Sequence, residues 1–268
     1  MPAIHPARMK IQVAQLGEKT RQPDAFVRAL HDLLDFYADR TYRPGQSGEP
    51  PPLLATYKTP PPVFRQIVRE TAALAVVDPP AALALVDALW AEPIIEFRLL
   101  AIALIGKIPP IPHEPVLARI QGWIASTPEN RLLDAILEQS LVNIRRECPK
   151  IYYQMIEEWL KADELFPRQT GLRALVPLLS DQEFENLPAV LRLLTPLIRT
   201  PPSALRLDLV AVLRALVQRF PQEAGYILRQ NLSTDHPDAI WLIRQVLNDF
   251  PSEIQDSLRE ALRPINPA

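Results

Sequence analysis

The amino-acid sequence predicts an all-α protein, and three observations support this fold class. Apolar residues make up 48% of the 268 residues, which is enough for a sizeable core. The 30 prolines greatly outnumber the 7 glycines and lie mainly between apolar segments. Proline fits the first turn of a helix and disfavours helix just before itself. The segments between the prolines repeat apolar residues with a helical period and show no sustained alternation, so we expect helices and no strands.

The N-terminal part of the chain is predicted to hold one helix followed by a long irregular connection. The helix covers about residues 23–40, with the sequence "PDAFVRALHDLLDFYADR". The next stretch, about 41–62, is rich in proline, glycine and serine, which is typical of a loop. Helical repeats are then expected over about 63–264, and the whole chain, 1–268, is predicted to form one continuous domain.

A repeated layout runs through the predicted helices. A tryptophan ends one helix, a short polar turn follows, and an arginine eight or nine residues later opens the next helix. The tryptophans are Trp90, Trp123 and Trp159, and the arginines are Arg98, Arg131 and Arg168.

The period of this layout identifies the type of repeat. Successive tryptophans are 33 and 36 residues apart, and a weaker copy with Arg206 lies 38 residues after Arg168. Helix pairs with such a period indicate an α-solenoid, because one pair cannot bury its apolar face alone and must stack on the next. The small-residue pattern of tetratricopeptide units is missing. We therefore expect a right-handed α-solenoid of HEAT-like helical repeats with about twelve helices.

The repeated tryptophans and arginines are interpreted mainly as structural residues. Tryptophans that close helices at the repeat period are expected to pack between layers. Arginines at one repeat position usually form ladders with carboxylates, and this role is favoured for Arg98, which follows Glu96. The alternative role, contact with a phosphate of a nucleic acid, applies chiefly to Arg168.

Composition and motifs argue against several classes of protein. The single cysteine, Cys148, has no partner for an internal disulfide, and the four histidines have no zinc-site spacing, so no metal is expected. There is no glycine-rich phosphate loop and no nucleophile motif, and we expect no cofactor. The net charge of −2 gives no overall attraction to a polyanion, so a nucleic-acid role requires local clusters of basic residues.

The sequence also bears on cellular location. It has no run of 18 or more apolar residues, and "MPAIHPARMKIQVAQ" lacks the apolar stretch and cleavage pattern of a signal peptide. We therefore expect a cytoplasmic protein that does not interact with membranes.

Several segments, in order and spacing, resemble the AlkD-like DNA alkylation-repair proteins over roughly residues 25–180. These segments are "YKTPPPVFRQIVRE", "ALVDALWAEPIIEFRLLAIALIGK", "NRLLDAI" and "EEWLKADELFPRQTGLRAL". The resemblance implies a HEAT-like solenoid whose concave face binds duplex DNA. In active members of the family it implies a DNA glycosylase that releases N3- or N7-alkylated purines.

The resemblance also implies site residues. Asp134 in "LLDAI" matches the family's catalytic aspartate, and Arg168 in "LFPRQTGL" matches its DNA-facing arginine. Arg131 and Arg145 are the other basic candidates for the DNA backbone near Asp134. Alkylation makes the purine a cationic leaving group, so one carboxylate near the sugar can stabilise the oxocarbenium-like transition state.

The aromatic side chains that active members place beside the aspartate are missing. Asn130 stands four residues before Asp134 and is the candidate contact to the nucleotide there. The second aromatic position aligns near Ala211 or Val212, or near Gln245 if one more repeat is counted. We therefore expect glycosylase activity to be weak or lost.

Two alternatives remain open from the residues alone. Asp134 lies at the edge of an apolar helical arc. This position suits a carboxylate that faces a groove, but it also suits an ordinary solvated carboxylate or one paired with Arg131. The whole protein is alternatively a non-enzymatic HEAT-repeat scaffold that binds a protein partner in its groove, as solenoids commonly do.

Overall fold

The computed structural model describes residues 5–39, 53–127, 129–231 and 237–262, and these ranges are overwhelmingly α-helical. They contain no strand; the one β-type feature among them is an isolated parallel bridge between Ala55 and Ile94. The predicted all-α class is confirmed. No helix in these ranges is both long and apolar enough to cross a membrane.

The chain divides into two compact units, which are described separately. Unit 1 covers Met1–Cys148 and unit 2 covers Pro149–Ala268. The described helices of unit 1 are α1 (Pro6–Gly17), α2 (Pro23–Tyr37), α3 (Pro61–Val77), α4 (Pro79–Ala91), α5 (Ile95–Ile105), α6 (Glu114–Ser126), α7 (Asn130–Ala135) and α8 (Val142–Glu147). Those of unit 2 are α9 (Pro149–Lys161), α10 (Leu165–Ser180), α11 (Leu187–Arg199), α12 (Arg206–Arg219), α13 (Pro221–Asn231), α14 (Pro237–Val246) and α15 (Ser252–Leu262).

Within each unit, most helices pack on the helix two positions further along the chain. In unit 1, α1 packs on α3, α3 on α5 and α5 on α7, while α2 packs on α4. In unit 2, α10 packs on α12 and α12 on α14, while α11 packs on α13 and α13 on α15. Consecutive helices also pair, notably α4 with α5 and α9 with α10. Each unit thus buries its apolar side chains between two rows of helices.

Proline begins many of these helices, as the sequence predicted. Seven helices start with proline: α1, α2, α3, α4, α9, α13 and α14. Its missing N–H is not needed in the first helical turn, where no intrahelical acceptor exists. Helix α4 adds a side-chain cap, because Asp78 accepts a hydrogen bond from the Ala81 N–H.

The described residues form fifteen α-helices, more than the twelve or so expected from sequence. One addition is α1, for which no helix was predicted. Another arises because the segment 128–144, expected as one helix, is divided, and its residues from Asn130 onward belong to α7, a π-helical segment and the start of α8. The predicted helix 23–40 is observed as α2, which ends at Tyr37. Residues 41–52 of the predicted loop lie outside the described ranges, and residues 53–60 are irregular up to the start of α3.

Arginine–carboxylate pairs join residues 32 or 35 positions apart in sequence, and Arg206 is the repeated arginine that takes part in one. The pairs are Arg119–Asp87 at 2.7 Å, Arg173–Asp208 at 3.0 Å, Arg206–Asp238 and Arg214–Asp249 at 3.1 Å. The expectation for Arg98 is wrong. Its Nε donates to the Glu92 carbonyl oxygen, and its guanidinium lies 4.9 Å from the centre of the Trp90 ring.

Two of the repeated tryptophans pack as predicted. The Trp90 and Trp123 rings stack with centroids 4.2 Å apart and planes 11° from parallel. The Arg98 guanidinium also contacts the Trp90 ring, so one cation and two rings pack together here. These contacts join α4, α5 and α6 in unit 1.

Candidate functional site

Asp134 lies on α7, a helix of only six residues. Leu132 and Leu133 are buried and fix this helix to unit 1, whereas Asn130, Arg131 and Asp134 are exposed. Asn130 and Asp134 are one turn apart, so their side chains lie on the same side of the helix. Three of the predicted site residues are therefore brought together on one exposed surface.

A π-helical segment, Ile136–Ser140, begins directly after α7. The predicted apolar arc is fully buried across it, because Ile136, Leu137, Leu141 and Ile144 are each at most 1% exposed. The continuous helix inferred from that arc is interrupted, however. A π turn holds an extra residue and rotates the following side chains, and such segments are frequent at functional sites.

The π-helical segment packs tightly on the end of α5. A β-carbon at Gly106 would lie 2.0 Å from the Gln139 carbonyl oxygen, so only glycine permits this approach. The buried Ser140 hydroxyl lies 3.4 Å from the Ile102 carbonyl oxygen and donates to it. The backbone just beyond Asp134 is thus held by direct backbone contact with α5.

The two remaining arginines of the predicted site differ in exposure. Arg145 on α8 is only 8% exposed, so little of its guanidinium reaches solvent in unit 1. Arg168 belongs to unit 2, where it lies half-buried in the first turns of α10. Leu165 and Phe166 begin the same helix and are 47% and 40% exposed. The sequence analysis did not single out this exposed apolar pair.

The positions aligned with the family's second aromatic do not supply one. Ala211 and Gln245 are exposed, and Val212 is fully buried. Trp241 on α14, four residues before Gln245, has the Arg206 guanidinium 5.6 Å from its ring centre. Arg206 in turn pairs with Asp238, so this aromatic ring belongs to the ladder contact between α12 and α14.

One contact to α7 had no signal in the sequence. Glu129, the residue before α7, accepts a hydrogen bond through Oε1 from the Leu54 N–H at 3.0 Å. The two residues are 75 positions apart and neither belongs to a recognisable motif. Only the folded structure shows that residues 53–60 reach the start of the helix that carries Asp134.

The described residues contain no cluster of three or more histidine, cysteine, aspartate or glutamate side chains that could hold a metal ion. His113 lies beside Glu114, with Nε2 and Oε1 3.7 Å apart. His31 contacts Tyr57 and Glu92. The chemistry available at α7 is therefore that of a carboxylate, an amide and a guanidinium.

Fold and site together define an all-α protein with a carboxylate exposed on a short helix. Comparison with family models gives its class: residues 57–224 match the model described as DNA alkylation repair enzyme, which is well over half of the chain. The chain belongs to this family, and the resemblance noted in the sequence is confirmed. No curated protein and no solved structure is similar enough to match.

Proposed function

We propose that this protein binds duplex DNA as a divergent alkylation-repair protein and that its release of alkylated purines is weak or absent. The observation that carries the proposal is Asp134. It is the residue proposed for the family's catalytic position; it lies within the matched residues 57–224 and is exposed on α7 beside Asn130 and Arg131. Arg131 and Arg168 are the proposed contacts to the DNA backbone, with Arg145 a lesser candidate because it is buried. Phosphate contacts of this kind give affinity without reading sequence.

The proposal includes the finer architecture, a single right-handed solenoid of HEAT-like repeats. Three observations support it. The sequence repeats every 33 to 38 residues. Within each unit, most helices pack on the helix two positions further along the chain, and the ion pairs join residues 32 or 35 positions apart. Stacked helix pairs produce all three. The concave face of such a solenoid is the proposed DNA-binding surface.

The expected weakness of catalysis follows from the surroundings of Asp134. A carboxylate stabilises an oxocarbenium-like transition state fully only where water is excluded and the sugar is fixed close by. Asn130 is an exposed amide at the position where active relatives are expected to carry an aromatic ring. Ala211, Val212 and Gln245 supply no second ring. The site therefore keeps the charge and lacks the walls that make the charge effective.

The proposal is tested with duplex DNA carrying N7-methylguanine or N3-methyladenine. We expect the wild type to bind the duplex and to release little free base. Asp134→Asn removes the charge with almost no change of shape, so it should bind equally well and lose what release there is. Binding is measured by fluorescence anisotropy, and free base by chromatography. Robust release by the wild type that disappears in Asp134→Asn would make the protein an active glycosylase and refute the weak-catalysis part of the proposal.

A second function is favoured by one observation on unit 2. The exposed Leu165 and Phe166 lie at the start of α10, next to Arg168. Large exposed apolar side chains of this kind are typical of contacts to proteins. A non-enzymatic scaffold for a protein partner is therefore the alternative, and absence of duplex binding at low salt would favour it.

A further inference from the structure

The segment 53–60, here called the strap, is attached to unit 1 at several points. Its central attachment is Glu96 on α5, which is only 6% exposed. Glu96 Oε1 accepts hydrogen bonds from the Thr56 hydroxyl at 2.8 Å and the Thr59 N–H at 3.3 Å. Lys58 takes a positive φ of 52° and donates its N–H to the Thr56 hydroxyl. A non-glycine residue with this backbone conformation persists only where the surroundings determine it, so the strap has a fixed shape.

The strap is also tied to its neighbours by backbone and ring contacts. Ala55 donates its N–H to the Pro93 carbonyl at 3.3 Å and accepts from the Ile95 N–H at 2.9 Å. Tyr57 lies 2.8 Å from His31 Nδ1 on α2. Burial raises the pKa of Tyr57, and nearby carboxylates such as Asp35 add to this effect. The phenol therefore stays protonated and is hydrogen-bonded to His31 Nδ1.

The far end of the strap reaches the start of α7 through the side chain of Glu129. Leu54 donates its N–H to Glu129 Oε1 at 3.0 Å. The Glu129 carbonyl oxygen accepts from the N–H groups of Leu132 and Leu133, both at 3.1 Å, and so begins the helix. Glu129 thus joins the strap and α7 through its side chain and its backbone at once.

Helix α7 depends on such flanking contacts for its position. A helix of six residues has almost no stability of its own, because the cost of nucleation is not recovered over so few hydrogen bonds. Its C-terminal side continues into the π-helical segment that is packed on Gly106. On its N-terminal side, the Glu129 carboxylate accepts the Leu54 N–H of the strap.

We infer that Glu129 is a positioning residue for Asp134: by accepting the Leu54 N–H it holds the start of α7 against the strap and so fixes where the Asp134 carboxylate meets a bound duplex. This inference rests on the proposed function of Asp134. Glu129 itself touches no reacting atom. Its contribution is to limit the motion of the helix, because a charge displaced by an ångström loses much of its effect on a transition state or a bound cation.

The first test measures how firmly α7 is held in the absence of DNA. In Glu129→Ala, hydrogen exchange at the amides of Leu54 and of α7 should become about tenfold faster, because one charge-assisted hydrogen bond is lost. Glu129→Gln keeps an acceptor oxygen and should restore slow exchange. Glu138→Ala removes an exposed carboxylate from the neighbouring π-helical segment and is the matched control for charge. Unchanged exchange in Glu129→Ala would overturn the inference.

The second test measures the effect on Asp134. The probes are two duplexes, one with a cationic pyrrolidine in place of a nucleotide sugar and one with neutral tetrahydrofuran. Asp134→Asn should weaken binding of the cationic duplex about fivefold relative to the neutral one, as expected for one charge pair near a protein surface. Glu129→Ala should cause a similar selective loss, Glu129→Gln should restore binding, and the double variant should lose no more than either single variant.

The outcomes separate the inference from the proposed function. If Asp134→Asn does not distinguish the two duplexes, Asp134 does not face the sugar, and the proposed site and the positioning role are both wrong. If Asp134→Asn distinguishes them but Glu129→Ala does not, or if the two effects add, the site stands and the positioning role is refuted. A selective, non-additive loss together with faster exchange in α7 supports the inference.

Discussion

The side chain of Arg219 ties a turn of unit 2 together through the backbone. Both of its terminal nitrogens donate to carbonyl groups at the end of α10 and in the turn that follows. The acceptors are the carbonyl oxygens of Leu179 at 3.3 Å, Asp181, Gln182 at 2.7 Å and Phe184 at 2.8 Å. The guanidinium also lies 5.0 Å from the centre of the Phe220 ring. One fork-shaped cation therefore satisfies carbonyl groups that no helix can satisfy.

Arg219→Ala is expected to lower the free energy of unfolding by about 1–3 kcal/mol, because several carbonyl oxygens lose a charged donor. Arg219→Lys should recover only part of this loss, since an ammonium does not match the fork. Arg214→Ala is the control. Its pair with Asp249 is half exposed and should contribute about 0–1 kcal/mol. Urea denaturation measures all three variants, and equal effects of Arg219→Ala and Arg214→Ala would contradict the special role of Arg219.

Single residues of the candidate site were predictable where local pattern decides their environment. Asp134 was expected at the edge of an apolar arc, and it is exposed beside the buried Leu133. The nearly complete burial of Arg145 was not foreseen, because it depends on how α8 packs rather than on its own neighbours in sequence. The same holds for Arg98, which uses the Glu92 carbonyl and the Trp90 ring instead of a carboxylate.

At the scale of elements, Gly106 and the π-helical segment form a matched contact between backbones. The carbonyl oxygen of Gln139 occupies the space that a β-carbon at position 106 would need. Gly106→Ala should therefore shift the segment or the end of α5, at a cost of about 1–3 kcal/mol, as overpacking usually does. Because Asp134 precedes the segment directly, its position should change as well. The measurement is the free energy of unfolding, with amide exchange in α7 as the local readout.

Gly122→Ala is the matched control for this prediction. Gly122 lies inside α6, and a β-carbon there would meet nothing within 4 Å. Alanine should stabilise this helix by about 0.5–1 kcal/mol, because glycine loses more backbone freedom on folding. A result in which both substitutions stabilise, or both destabilise equally, would show that the close approach at Gly106 is not the determining contact.

Helix positions were largely predictable from sequence, and their interruptions were not. Proline marks helix starts at Pro61, Pro79, Pro149 and Pro221, because a fixed φ and a missing N–H suit the first turn. The π-helical segment left no signal in the apolar pattern, since its residues are buried just as a continuous helix would bury them. It depends on backbone packing against α5, which sequence periodicity does not report.

On the scale of the whole molecule, the repeated spacing of 33 to 38 residues could be read from the sequence because the same layout recurs along the chain. Ion pairs such as Arg119–Asp87 and Arg206–Asp238 span 32 residues, in keeping with the tryptophan period. Long-range hydrogen bonds that do not recur from repeat to repeat could not be predicted from the sequence. The strap reaches Glu129 and Glu96 across 75 and 40 residues, through a backbone N–H and a hydroxyl that no periodic pattern marks.

The net charge of the molecule sets the expected form of its DNA binding. With a formal charge of −2, the protein has no general attraction to a duplex, so any affinity must come from a few local contacts. Arg131 and Arg168 are the proposed contacts, and with up to two further phosphates the number of neutralised charges is about 2–4. Release of the corresponding counterions predicts that affinity falls about 10- to 150-fold between roughly 50 and 200 mM salt.

Substituting Arg168 tests whether this salt dependence arises from the proposed contact. Arg168→Ala should weaken binding to all duplex sequences alike and reduce the slope of log affinity against log salt by about 1, because one phosphate contact is lost. Arg214→Ala removes the same charge from unit 2, but from a residue already paired with Asp249, and should leave the slope nearly unchanged. Anisotropy titrations over the salt range measure both variants. Equal slopes for the two variants would refute the role of Arg168. If the wild-type affinity does not change with salt concentration, or if no binding is found at about 50 mM salt, DNA binding through counterion release is refuted. A protein partner at the exposed Leu165 and Phe166 is then favoured instead.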